Sequence, residues 1–396
     1  MKALIVSPVP TDPVNAGNRA RIATMTGLFA HWGWDVHFAF VPMEPADSVA
    51  SSARFGAGRF HRLKYAQPMP SWPVRIMRKV ARLAKLNAGY LWALDAWYDE
   101  QLTPQLQALH AVHGFDLVCV EYVFMSKALE AFGGQVIKIL DTHDCFAERH
   151  RRYLQQGQEP QWFSTSEEDE TRGFLRAHAV LAIQPQEAKE FGARVTRHAA
   201  HDCAVLEFGH ILPEVEAVGL SNAPVGIFLG SDNPINVTAL RWFIGEVMPM
   251  IKREVPGFRL KVVGSVCNAI GASDQVDKLG FVDDLALAFA QACVNVNPVQ
   301  MGTGVNIKLL DAMMYGMPCI STEVGVRGLE QYAEHGICVV PDNDSGAFAR
   351  AVVVLLRSRD IQVRYATGAR VSAQAWNIRQ SKNLEAWISS RRRSAS

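Results

Sequence analysis

The sequence predicts a doubly wound α/β protein built from two Rossmann-like domains, and three observations support this. Short apolar runs alternate with stretches of helical periodicity. The alternation restarts after about residue 215. At 396 residues the chain is also longer than a single hydrophobic core usually serves.

In the first half, ALIVS reads as a strand and PVPTDPVNAGN as a loop, followed by the helix RARIATMTGLFAHWG with Ile22, Met25, Leu28 and Phe29 on one side. DVHFAFV is the next strand, and the unit is of the right-handed parallel kind. DLVCVEY, VIKILDTHD and AVLAIQ are buried-type strands further along. In the second half, GIFLGS, FRLKVVGS, VDKLGFV, CVNVNPV, PCIST and ICVVP are strands. NPINVTALRWFIGEVMPMIKREV and LALAFAQA are helices between them. The expected organisation is a first domain over 1–211, a hinge at 212–224 and a second domain over 225–370. A C-terminal helix over 371–396 would return to the first domain, running roughly from 371 to 391 and ending in the solvated basic tail RRRSAS.

A hydrophobic fraction of 49% with 20% charged residues suits a globular chain, and the formal net charge of +1 gives no general attraction to nucleic acid. The apolar start ALIVS is too short for a signal-peptide core, and no run reaches the roughly 18 apolar residues of a membrane span. Seven scattered cysteines without a CxxC pair read as buried free thiols of a reducing compartment, so a cytoplasmic protein is expected. No Cys/His cluster has ligand spacing, so no metal site is expected. One segment departs from this balance. Between Asp47 and Asp95 there are nine basic residues and no acidic one, with Phe55, Phe60, Tyr65 and Trp72 interleaved. Within this insert, about 48–94, VRIMRKVARLAKL places apolar residues at 76, 80, 83 and 86 and so forms an amphipathic helix with a basic face. It reads either as an element for an anionic membrane surface or acceptor, or as a solvated basic surface.

The stretch QMGTGVNIKLLDAMMYGMPCIST, 300–322, carries the chemistry. The turn QMGTG follows a strand that stops at Pro298, and the helix VNIKLLDAMMYG ends at Gly316. Thr303 or Gly304 is then the helix start, and the free N–H groups of Gly304, Val305 and Asn306 attract an anion. Lys308 and Asp311 share a face, and Ile307, Leu310 and Met314 are the expected buried stripe. A cation one turn in can neutralise phosphate. An aspartate about 4.5 Å further along the axis can accept ribose hydroxyls. The residues fit either a nucleoside diphosphate or an ordinary capped helix with a surface ion pair.

These residues resemble those of a known family. FLGSDNPINVTALRWF, LKVVGS, the run from LGFVDDL to VGVRGL, and ICVVPDN are similar to the nucleotide-sugar domain of retaining glycosyltransferases of family four (glycosyl transferases group 1). SPVPTDPVNAGNRARI and LDTHDCFAERH match the N-terminal domain more loosely. The resemblance implies the GT-B architecture, two Rossmann-like domains facing each other across a cleft, with the acceptor on the first and the donor on the second. It implies donor contacts at Gly17, Asn18, Gly230, Ser231, Phe281, Val282, Thr303, Gly304, Val305, Asn306, Lys308 and Asp311. Gly17 lies at the tip of the first loop, Phe281 and Val282 lie in the base-reading segment, and Arg19 is either a further donor or a first-turn helix residue. His143 corresponds to a histidine facing the donor sugar, and Asp144 orients it or meets the acceptor.

Of the family's two glutamates eight positions apart, the first falls on Thr303 and the second on Asp311. Its arginine and lysine fall in SDNPIN, which has Ser231, Asp232, Asn233 and Asn236 instead, so Lys308 is the replacement cation. Asp283–Asp284 and the run EEDE at 167–170 are expected at exposed helix starts rather than on a metal. The implied activity is transfer of a sugar from a nucleotide sugar to an acceptor hydroxyl with retention, in assembly of a surface polysaccharide or glycolipid. The acceptor would be a glycan or lipid-linked, no nucleic acid or cofactor is expected, and contact with the inner face of the membrane would be peripheral. The competing readings are a nucleotide-sugar epimerase and a non-catalytic nucleotide-sugar-binding assembly subunit. A dehydrogenase is disfavoured because neither glycine loop reads GxGxxG.

Overall fold

The structure, a computed structural model, describes residues 1–14, 17–84, 86–155, 159–160, 162–198, 202–271, 273–301 and 305–395. The chain divides into two compact units, Met1–Ile211 with Gln380–Ser396, and Leu212–Arg379.

The first unit holds a seven-stranded sheet of β1 (Lys2–Ser7), β2 (Asp35–Phe40), β3 (Phe60–Arg62), β4 (Leu117–Glu121), β5 (Ile137–Asp141), β6 (Ala179–Ala182) and β7 (Ala204–Glu207), in the order β3-β2-β1-β4-β5-β6-β7. Every pairing is parallel. The strand order reverses between β1 and β4, the place where open α/β sheets hold ligands beyond their carboxyl ends. The register sets Glu121 of β4 beside Asp141 of β5, so two carboxylates end adjacent strands. Helix Gly17–His31 follows β1 and buries Ile22, Met25 and Phe29 against the sheet.

The second unit holds β8 (Val225–Leu229), β9 (Arg259–Val263), β10 (Val276–Gly280), β11 (Val294–Asn297), β12 (Cys319–Thr322) and β13 (Ile337–Val340), in the order β10-β9-β8-β11-β12-β13. All pairings are again parallel, and the reversal falls between β8 and β11. Alternation along β8 sends Ile227 and Leu229 into one apolar layer and Phe228 into the other. Gly230 and Gly264 follow β8 and β9. A Cβ on Gly264, whose φ is +98°, would stand 2.2 Å from the Gly230 carbonyl oxygen, so the close approach of the two loops requires glycine there.

Three expectations need correction. β3 and β7 are strands where none was read. The helix predicted over 233–255 is broken by a π turn at Phe243–Val247, because Pro249 has no N–H with which to continue the ladder. The C-terminal helix begins at Arg359, earlier than 371, and runs to Ala395, so the arginine tail is helical, with Arg391 paired to Asp202. Its first part places the buried Trp376 in the second unit's core, and Leu384 and Ile388 lie in the first unit's core. In the basic insert the expected helix is present over Trp72–Leu83, and its apolar side faces outward. Trp72, Met77, Val80 and Leu83 are 72%, 64%, 59% and 77% exposed, which leaves an uncovered apolar stripe. The inner side is basic instead: Arg78 donates to Leu91 O and stacks 3.7 Å from the Trp92 ring centroid, and Arg82 Nε donates to Gly89 O at 2.9 Å. No helix among the described residues is long and apolar enough to cross a membrane.

Candidate functional site

Two groups of side chains gather at carboxyl strand ends, one in each unit. In the first unit, His143 stands just beyond β5 with φ +59°, and its neighbour across the sheet, Tyr122 after β4, has φ +72°. Both residues hold a positive backbone φ, which is unfavourable for non-glycine residues and recurs at functional sites. The rings stack at 4.2 Å and 10°. His143 Nε2 lies 2.5 Å from Glu121 Oε2 and 3.8 Å from Asp141 Oδ2. Arg21, buried on helix Gly17–His31, donates Nε and Nη2 to the two Asp141 oxygens at 2.8 Å each, and Nη2 also donates to Phe208 O at 2.7 Å. This bidentate pair is fully desolvated, so neither partner tolerates loss of the other.

Their environments drive the two carboxyls apart. Burial, and after it the charge of Asp141, pushes Glu121 up to about 7, against the hydrogen bond to His143. Burial alone would also raise Asp141, but the Arg21 guanidinium and His143 outweigh it and hold the carboxyl below its usual range. A raised Glu121 in contact with His143, beside a lowered Asp141, is the kind of asymmetry from which acid–base assignments follow.

The residues expected here take different parts. Gly17 is the first residue of its helix, and an added Cβ there would meet nothing within 4 Å. Asn18 donates to the Tyr122 hydroxyl at 3.0 Å and accepts from Arg19 N at 2.9 Å, which engages it in holding Tyr122. Arg19, in the first turn of the helix, pairs with Glu44 at 3.1 Å and donates to Pro45 O. Asp144 accepts from Cys145 N at 2.8 Å and lies 3.3 Å from Arg149, while the carboxylate on His143 Nε2 is that of Glu121. The loop after His143 is fixed from below by Glu170, which accepts from Phe146 N and pairs with Arg194 at 2.6 Å. Glu170 is therefore buried, in contrast to the exposed helix start expected for EEDE. Arg21, Glu121, Tyr122 and Asp141 were not singled out by sequence reasoning. A usable signal was present, since Glu121 and Asp141 are carboxylates closing predominantly apolar parallel strands.

In the second unit, the helix after β11 spans Ile307–Met314, with Asn306 as its cap. Asn306 Oδ1 accepts from Leu309 N at 3.2 Å, and its Nδ2 donates to Asn297 Oδ1 at 2.7 Å. Asn297 in turn donates to Ser321 Oγ at 2.8 Å and to Gly325 O at 3.2 Å. The cap is thus tied to β11 and β12, and the helix starts later than Thr303 or Gly304, which lie outside the described residues. Among the described residues, the amides of Val305, Asn306, Ile307 and Lys308 have no hydrogen-bond partner. Among the described residues the free donors include the expected Val305 and Asn306 and extend to Lys308. The buried side carries Leu309, Leu310, Met313 and Met314, with Ile307 half-buried. Lys308 is exposed and, among the described residues, makes no hydrogen bond or ion pair. Asp311 is half-buried on the same side, and burial pushes it up to about 6 against the charge of Lys308.

Ser231 Oγ accepts from Asn233 Nδ2 at 3.0 Å and Asn236 Nδ2 at 3.3 Å, while Asn233 caps helix Pro234–Trp242. Gly230 is held by its N–H to Val263 O at 3.0 Å. Phe281 is 77% exposed after β10, Val282 is half-buried, and Asp284 caps helix Leu285–Phe289.

Two doubly wound parallel sheets, each with polar groups at its switch point, define a GT-B class fold. Residues 223–358 match the family model Glycosyl transferases group 1, so the second unit carries that family's sequence pattern. The structure is similar to sucrose-phosphate synthase (tll1590) from Thermosynechococcus elongatus, with a TM-score of 0.64 and 18% identity over 100% of both chains. It is also similar to Anabaena Alr3699/HepE in complex with UDP and glucose, with a TM-score of 0.60 and 13% identity over 98% of this chain and 99% of that one. Among curated relatives, an uncharacterized 44.6 kDa protein in the cps region of Klebsiella pneumoniae is 29% identical over 134 residues, 30% of this chain. The chain spans 34% of that relative's length.

Glu121 makes the first unit's stability depend on pH. With a folded-state value near 7 and an ordinary value of 4.5, the folded form keeps a proton that the unfolded form has lost, so stability falls as pH rises through that window. Glu121→Gln mimics the protonated form. Its stability relative to the wild type is expected to improve by on the order of 2 kcal/mol between pH 5 and pH 8 in denaturant unfolding. A difference that stays flat across this range would contradict the assignment.

Proposed function

We propose that the protein is a retaining glycosyltransferase that moves a sugar from a nucleotide-sugar donor to an acceptor hydroxyl in surface-polysaccharide or glycolipid assembly. The observation that carries this reading is the placement of Lys308 and Asp311 on one side of the helix after β11, beside the amides of Val305 to Lys308, which have no hydrogen-bond partner among the described residues. Donor diphosphate binds at those amides beside Lys308, and Asp311 accepts hydrogen bonds from the ribose. The segment at Phe281 and Val282 lies along the base. The group 1 match, the relative from a cps region and the UDP and glucose in the HepE complex support the reading.

In the reaction, a bond forms between the acceptor oxygen and the anomeric carbon while the bond from that carbon to the phosphate oxygen breaks. The acceptor proton passes to the departing diphosphate on the same face, which preserves the anomeric configuration. Negative charge grows on the phosphates as the bond breaks. Preorganised amides and the Lys308 ammonium therefore stabilise the transition state more than the bound donor. His143, polarised by Glu121, faces the transferred sugar and steadies the positive charge developing on its ring. The chemistry so written uses the groups of this chain and the donor's own diphosphate, without a metal. A second reading, donor binding without turnover, is favoured by Thr303 standing where the family has a glutamate.

The exposed apolar stripe of helix Trp72–Leu83, with Arg75 and Lys79 at its flanks, is the surface by which the protein meets an anionic bilayer.

Lys308→Ala is expected to weaken binding of a nucleoside diphosphate at least tenfold by calorimetry, about 1.4 kcal/mol. Lys79→Ala should leave it unchanged, and equal affinities in the two variants would remove Lys308 from the site. Sedimentation with phosphatidylglycerol vesicles should capture the wild type at low salt and release the double variant Trp72→Asp/Leu83→Asp. Equal capture of both proteins, or of either by purely zwitterionic vesicles, would contradict the membrane reading.

A further inference from the structure

A third cluster lies apart from both groups above and has no part in the proposed transfer. His37 comes from β2, His61 from β3, and His113 is the last residue of helix Leu102–His113. One ring nitrogen from each lies within 4.8 Å of the other two. His37 Nδ1 and His61 Nε2 are 3.0 Å apart, the His37 and His61 rings stack at 5.3 Å and 8°, and the His37 and His113 ring centroids are 4.5 Å apart. The register pairs His37 with Leu4 of β1, while Lys2 Nζ donates to His113 O at 2.8 Å. The trio therefore gathers near the starts of the strands, at the opposite end of the sheet from Glu121 and Asp141.

The outward nitrogen of His37 shows what the cluster is built for. His37 Nε2 lies 3.5 Å from Asp35 Oδ2, and Arg59 Nε holds the other Asp35 oxygen at 2.5 Å. A carboxylate facing Nε2 keeps the ring hydrogen on that nitrogen. The lone pair of Nδ1 is then directed into the cluster, toward His61. A ligating imidazole whose second nitrogen donates to a carboxylate is the recurrent outer shell of metal-binding histidines. His37 is 4% exposed, whereas His61 and His113 are half-exposed and leave a path from solvent.

We propose that His37, His61 and His113 form a three-histidine site for a divalent transition-metal ion, Zn2+ in the first instance, with water in the fourth position. A tetrahedral ion with Zn–N bonds of about 2.0–2.1 Å sets its ligand nitrogens about 3.3 Å apart, so the trio needs to close by about 1.5 Å at most. His37 Nδ1 binds with its lone pair as it stands. His61 presents Nε2 by moving its ring hydrogen to Nδ1, so no net proton is released there. The ion joins β2, the short edge strand β3 and the end of helix Leu102–His113. β3 lies within the basic insert that carries helix Trp72–Leu83, so the metal fixes that insert to the sheet. The histidines are far apart along the chain, and no linear spacing reveals them.

The test uses the full chain free of any histidine tag, stripped with chelator and titrated with ZnCl2 in competition with a chromophoric chelator. One equivalent should bind with sub-micromolar affinity and raise the melting temperature. His61→Gln and His113→Gln should each lose affinity at least 100-fold, and Asp35→Asn about tenfold or more. Melting in the presence of chelator reports whether each variant still folds. His143→Gln serves as the control, because Glu121, Asp141 and His143 also lie close enough to share an ion. Absence of stoichiometric binding overturns the proposal. So does binding that survives both histidine variants or is lost in His143→Gln instead.

Discussion

Unpaired backbone donors are the constraint from which the second unit's chemistry follows. A helix start leaves amides without acceptors, and here the loop before it adds two more, so Val305 to Lys308 point at nothing in the described chain. That arrangement is stable because the cap is anchored. Asn306 is held by Asn297, and Asn297 by Ser321 and Gly325, which ties the helix start to β11 and β12. Leu309, Leu310, Met313 and Met314 bury the opposite side of the helix and leave Lys308 exposed and Asp311 half-buried beside it. The small residues after β8 and β9 serve the same end, since Gly230 and Gly264 let two loops approach at backbone distance.

The first unit handles its polar groups in the opposite way, by burying them in mutual contact. Arg21 neutralises Asp141, and that fixed negative charge, together with desolvation, keeps Glu121 reluctant to ionise. His143 is consequently gripped at one nitrogen by Glu121 and pressed flat on Tyr122, in a backbone conformation that requires support from its surroundings. Such a network contributes little net stability, because desolvation offsets attraction. It does fix one orientation of the imidazole.

The sheets were legible in the sequence because parallel strands buried on both faces are nearly continuous apolar runs, as in LVCVE and VGIFL. β3 was not, since FHR offers a single apolar residue and forms by pairing with β2. The helix at 307 was recognised, but its start was misplaced. Thr303 and Asn306 are both good caps, and the choice between them rests on the bond from Asn306 to Asn297, which no local pattern contains. Periodicity identified helix Trp72–Leu83 correctly and said nothing about which side faces the protein. Arg78 on Trp92 and Arg82 on Gly89 settled that in favour of the basic side. Arg21 and Asp141 escaped notice for a related reason: each looks unremarkable in its own element, and their meaning lies in a contact across the fold.

The most direct measurement of the central claim is a calorimetric series on the whole protein with a nucleoside, its monophosphate and its diphosphate at two salt concentrations. If the free amides and Lys308 form the anion site, affinity rises with each phosphate, and the gain for the diphosphate shrinks in high salt. A nucleoside that binds as tightly as its diphosphate, with no salt dependence, would contradict the account.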